Sequence, residues 1–181
     1  MKRIGYVFLL FTSFSCNKSE TLEKEVSEIL FSVIRDNPDL FSSNYKLLDF
    51  YNSPLGGPSR IYDGEIESDF IITSIFNKEE CKFLSDQKKA NRKLKIIRNN
   101  WLDKNYRLIS STEINTFREK FQKDIGCIQG FSVPLISKDR QFVIIRYFVS
   151  CGSYNAHGFT SIFKYTGSKW IEFKNIENWI S

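Results

Sequence analysis

Apolar positions recur along this chain with different periods, and each period predicts a different element. Leu22, Val26, Ile29, Leu30, Val33 and Ile34 return at helical spacing, with Glu23, Lys24, Glu25 and Glu28 between them. They predict an amphipathic helix over 22–36 that ends before Asp36-Asn37-Pro38. Its polar face is acidic, which favours packing on a sheet over lying on a membrane surface. Tyr45 to Tyr51 reads as a short strand, and 52–59, with Pro54, Gly56, Gly57 and Pro58, as a loop. That loop lacks the Gly-Lys-Ser/Thr ending of a phosphate cradle. Phe70 to Phe76 is β-branched and aromatic and predicts a strand. Asn77, with Glu80 three residues on, opens a second helix over 78–91 whose buried side holds Cys81 or Leu84. Leu94 to Ile97 predicts another short strand. Ser110 and Glu113 open a third helix over 111–125, with Ile114, Phe117, Phe121 and Ile125 as its stripe and Gly126 as its stop.

The last third changes to a period of two. Phe131–Ile136, Gln141–Ser150, Phe159–Tyr165 and Trp170–Lys174 predict four strands joined by short turns, an antiparallel meander. In the second of these, Val143, Ile145, Tyr147, Val149 and Cys151 share one face, and Phe142, Ile144, Arg146 and Phe148 the other. Both faces are largely apolar, which places it centrally. Pro134 has no amide hydrogen and puts the first strand at an edge or a bulge. The expectation is an α+β fold: a single domain over 22–181, with an antiparallel sheet of about five or six strands and about three helices packed on it.

The first residues follow another pattern. Lys2 and Arg3 precede an almost uninterrupted apolar run from Ile4 to Phe14, and Asn17, Lys18, Ser19 and Glu20 follow it. The run is about half the ~20 residues that span a bilayer. A basic start, a short apolar segment and small residues at its end predict a secretory signal over 1–15. Ser13-Phe14-Ser15-Cys16 resembles the lipobox of bacterial lipoproteins, in which a small residue precedes an acylated cysteine. That family prefers Leu where Ser13 stands and a small residue where Phe14 stands. Ordinary signal cleavage, which wants small residues at 13 and 15, is the alternative. The lipobox reading makes Cys16 a lipid anchor and 16–21 a tether, and places the protein in the cell envelope, at the outer membrane of a Gram-negative bacterium.

Composition narrows the partners. The net charge of +5 includes Lys2 and Arg3, so the exported chain is too weakly basic to point to nucleic acid. The 17 Phe among 8 Tyr and 3 Trp suit an aromatic core better than a sugar platform. Lys93, Lys95 and Arg98 lie in the most basic stretch, 88–107, and are the candidate anion-binding residues. The acidic stretch 63–69 lacks the order of a calcium loop and reads as a solvated turn. No cofactor and no metal site is expected.

With Cys16 acylated, Cys81, Cys127 and Cys151 remain, an odd number in an oxidising compartment. Cys127 and Cys151 share the C-terminal half and are the preferred disulfide; three unpaired cysteines are the alternative.

Ser132-Val133-Pro134-Leu135-Ile136-Ser137-Lys138-Asp139, Cys151-Gly152 and Gly167-Ser168-Lys169-Trp170 together resemble a set of small, mostly uncharacterised bacterial lipoproteins. The resemblance covers roughly 110–176. Relatives often carry a second Cys-Gly where this chain has Asn155-Ala156-His157-Gly158. It implies a lipoprotein with an antiparallel sheet, and no activity.

Two function classes follow. The first is a non-enzymatic envelope lipoprotein, a binding or protective module held at the membrane by its anchor, with an envelope protein or an anionic glycan as partner. The second is a small cysteine-dependent hydrolase using Cys151 and His157, the one histidine, with Asn155 to orient the ring.

Overall fold

A computed structural model describes residues 13–41, 46–48, 66, 69–91, 94, 104–106, 108–109, 126–151 and 156–180. The expected third helix (111–125), the loop at 52–59, most of the acidic stretch and most of the 94–97 strand lie outside these residues.

The first helix, α1 (Ser13–Asp36), begins well before the expected start at Leu22. Nothing in 13–21 breaks a helix, since no Gly or Pro occurs there, so the backbone expected as a tether continues the helical hydrogen bonding. Val26, Leu30, Phe31, Val33 and Ile34 are buried as their spacing predicts, whereas Leu22 is 41% exposed. At the other end Asn37 folds back, its side-chain amide donating to the Val33 carbonyl at 2.8 Å, before Pro38 turns the chain away.

A three-residue strand, β1 (Lys46–Leu48), follows. Residues 70–76 then depart from expectation: they form a short helix, α2 (Phe70–Ile75), not a strand. The Asp69 carboxylate decides this, accepting from the amides of Ile71 and Ile72 at 2.9 Å each. Such a cap satisfies amides that a strand would have left to neighbours, while strand propensity says only that a segment suits a pleated surface. The next helix, α3 (Lys78–Ala90), matches its prediction, with the Asn77 side chain accepting from the Glu80 amide at 2.9 Å and with Cys81 and Leu84 buried.

After β2 (Leu108–Ile109), the chain forms β3 (Cys127–Phe131), β4 (Leu135–Ile136), β5 (Phe142–Cys151), β6 (Ala156–Tyr165) and β7 (Trp170–Ile180). The sheet order is β2-β1-β3-β5-β6-β7, with β4 also on β5. The run β3–β7 is antiparallel, as the turn spacings predict, while β1 joins β3 and β2 in parallel. The α+β class stands. The strand expected over 131–136 starts instead at Cys127 and divides at 132–134. Phe131 pairs with Tyr147 and Leu135 with Ile144, so Ser132, Val133 and Pro134 face only Ile145 and Arg146: a one-residue bulge. Pro134 fits there because no ladder bond is required of it. Ser132 holds the bulge with its amide on the Arg146 carbonyl (2.7 Å) and its hydroxyl accepting from the Arg146 amide (3.0 Å).

Helices cover both faces of β5. On one face Val143, Ile145, Tyr147, Phe131 and Phe163 pack with the α1 residues and with Phe41 and Tyr106. On the other, Ile144, Leu135 and Ile162 pack with Ile66, Ile72, Phe76, Cys81 and Leu84. Burying both faces makes β5 central.

Candidate functional site

Cys127 and Cys151 are register partners on β3 and β5, and their sulfurs are bonded, with Cα atoms 4.1 Å apart. Cys81 lies buried inside α3, its thiol donating to the Phe76 carbonyl at 3.6 Å. Position 16 falls within α1, three residues after its start.

This pairing takes the sulfur that the hydrolase reading requires as a nucleophile, since a disulfide sulfur carries no thiolate. His157 sits on β6 opposite Val149, two positions before Cys151 on β5, so alternation puts the three on one face. The structure thus brings the histidine near the cysteine but gives that cysteine to Cys127. Asn155 lies outside the described residues, as do Lys93, Lys95 and Arg98, the candidate anion-binding residues.

The densest polar cluster inside the meander was not anticipated. Ser161, fully buried on β6, donates its hydroxyl to Glu172 Oε1 at 2.6 Å and accepts from Asn175 Nδ2 at 3.2 Å. Tyr147 also hydrogen-bonds Ser161, and its hydroxyl is pushed up to about 12, chiefly by burial, with the Glu172 charge adding to the effect. A serine beside a carboxylate suggests a nucleophile, but Ser161 is sealed from solvent, and the bonds it makes join β6 to β5 and β7. Its partners on β7 are set by the bulges in the β6–β7 register, which no local pattern in the sequence shows.

A second cluster lies along β4. Gln87 donates to the Ile136 carbonyl (3.2 Å) and accepts from the Ile136 amide (2.6 Å). Asn91 donates to the Pro134 carbonyl (3.0 Å), and Glu80 accepts from the Lys138 amide (2.8 Å). Residues 80, 87 and 91 share one side of α3 and its C-cap and meet the backbone of 134, 136 and 138, within β4 and on either side of it. The helix side chains therefore stand where a neighbouring strand would. Polar residues on a helix flank gave no hint of this in the sequence.

The motif Ser137-Lys138-Asp139 has a local role. The Ser137 hydroxyl donates to Asp139 Oδ1 (2.6 Å) and accepts from the Phe142 amide (2.9 Å), and Asp139 accepts from the Gln141 amide (3.0 Å). The Ser137 hydroxyl, then the Gln141 amide, hold the Asp139 carboxyl below its usual range. The network closes the β4–β5 turn.

Among the described residues, no three His, Cys, Asp or Glu side chains gather as metal ligands, and no helix is long and apolar enough to cross a membrane. Compared with protein-family models, curated proteins and solved structures, the chain matched none.

Proposed function

We propose that this chain is an exported, lipid-anchored protein of the bacterial envelope that binds or shields a partner without catalysing a reaction. The observation that carries this reading is the fate of the cysteines. Two are bonded to each other and a third is buried within α3, which leaves Cys16, at the end of the Ile4–Phe14 apolar run, for modification. A disulfide suits the oxidising side of a membrane. Two or more acyl chains on Cys16 would hold the domain stably. The partner is an envelope protein or an anionic glycan, the latter held by Lys93, Lys95 and Arg98.

Intact mass tests the reading. The protein is extracted from membranes, weighed, then reduced and weighed again. Diacylglycerol on a chain beginning at Cys16, with a gain of about two hydrogens on reduction, is the expected result. An unmodified N-terminal Cys16 removes the anchor. Retention on heparin or lipopolysaccharide that is unchanged in Lys93→Ala/Lys95→Ala/Arg98→Ala removes the glycan form. Labelling of Cys151 by a thiol probe in unreduced protein, lost in His157→Ala, would restore the hydrolase.

A further inference from the structure

The parallel and antiparallel parts of the sheet meet at one weak strand. Among the described residues, β1 and β2 reach the rest of the sheet only through β3. The attachment is short: Lys46 and Leu47 face Ile128 and Gln129, the two residues after Cys127. β3 has five residues, whereas β5 and β6 have ten each and β7 has eleven. Within β3, Gly130 lies against the Phe148 ring, which fills the space that a Cβ would need. A glycine inside a strand contributes no side-chain packing and costs backbone entropy on ordering. Beyond Phe131 the ladder is interrupted by the bulge at Ser132–Pro134.

The disulfide ties the other end of this strand. Cys127 is the first residue of β3 and Cys151 the last of β5, and the two stand directly opposite each other. Both are only half-buried, whereas Cys81 is buried inside α3. The bond closes a loop over 127–151, so β3 cannot drift far from β5 even when its ladder opens. A disulfide at the end of a ladder, away from the closed core, is of the kind that thiol–disulfide exchange can open. The bond therefore holds the strand that is least able to hold itself, and that strand carries the parallel arm.

We propose that Cys127–Cys151 is a redox-controlled latch: a dithiol reductant opens it and frees β3 with the β1–β2 arm, while β5, β6 and β7 stay folded. The reductant's thiolate bonds to one sulfur and displaces the other as a thiolate, which takes up a proton. The reductant's second thiol then attacks the mixed disulfide. Both cysteines end as thiols, and the reductant leaves as a disulfide. The latch works in the same way with or without an anchor at Cys16.

Amide hydrogen exchange tests the latch on the oxidised protein and on the same protein treated with dithiothreitol without denaturant. Mass should show the gain of two hydrogens under these native conditions. Exchange at 46–48 and 128–131 is then expected to quicken on the order of a hundredfold, with 143–145 and 161–165 unchanged. Reoxidation should restore the slow exchange. Cys127→Ser/Cys151→Ser should exchange like the reduced protein with no reductant present; if this variant does not fold, the reduced wild type alone decides. A disulfide that dithiothreitol reduces only in denaturant would overturn the latch. Unchanged exchange in β3 after reduction would overturn it too. Faster exchange spread evenly over the sheet would make the bond a staple of the whole fold, and would also overturn it.

Discussion

The two faces of the central strand β5 are covered by different means. The α1 face is closed by apolar volume: Phe41 meets Phe131, Tyr147 and Phe163 with ring centroids 4.9 to 6.1 Å apart, and the stripe of α1 lies over them. The α2–α3 face has a smaller apolar cluster, and α3 adds polar side chains that hydrogen-bond the bare edge of β4. A face closed by volume is tolerant in register, because burial is non-directional. A face closed by hydrogen bonds is specific, because each donor must meet one acceptor and an unmade bond is costly.

The contrast is open to test from its largest effect downward. Phe163→Ala, at a fully buried site among the rings, should cost about 3–5 kcal/mol, read as a lower denaturant midpoint with faster exchange on both faces. A loss below about 1 kcal/mol would mean that volume does not hold this face. Gln87→Ala should cost about 1–3 kcal/mol, because it strands the amide and carbonyl of Ile136 together. Its signature is local, with the Ile136 amide exchanging faster while the α1 face stays protected. If exchange rises uniformly instead, α3 is part of the common core and the contrast fails.

Asp69→Ala should cost about 1 kcal/mol by uncapping α2. Spectra reporting residues 70–76 as a strand in this variant would show that the cap alone chooses helix over sheet, whereas retained helix with unchanged stability would mean that packing of Ile72 chooses it.

The smallest effect concerns pH. The folded Asp139 carboxyl titrates below its ordinary value, so its contribution is complete above about pH 4 and is lost as pH falls through the lower folded value. Because the group is exposed, the effect is slight. Asp139→Asn should flatten the stability profile below pH 4, and a profile that keeps the wild-type slope there would assign that slope to other carboxylates.

Much of the architecture was legible where neighbours in sequence are neighbours in space. The stripe from Val26 to Ile34, the Asn77 cap, the alternation in β5 and the Thr166–Lys169 turn all express local geometry, and the structure places them as the periods predict. The strand expected over 70–76 failed because β-branched composition says only that a segment suits a pleated surface. Asp69 offered the amides a nearer partner. The start of α1 was missed because polarity was taken for a tether, although polar residues without Gly or Pro sustain a helix.

The candidate sites divide in the same way. Cys127 and Cys151 were visible as a pair because few cysteines were left to choose from, but their direct opposition on β3 and β5 depends on the bulge at Ser132–Pro134 and on the register it sets. The grouping of Lys138, Lys164 and Lys169 could not be read at all: they are spread over more than thirty residues and stand at one end of the sheet only because two turns end on the same side. By itself the sequence determined the periods, the caps and the turns, because these depend on interactions within a few residues. Only the tertiary structure decided which strand edges needed covering, which sulfurs met and which charges stood together, because those depend on register, which no local signal encodes.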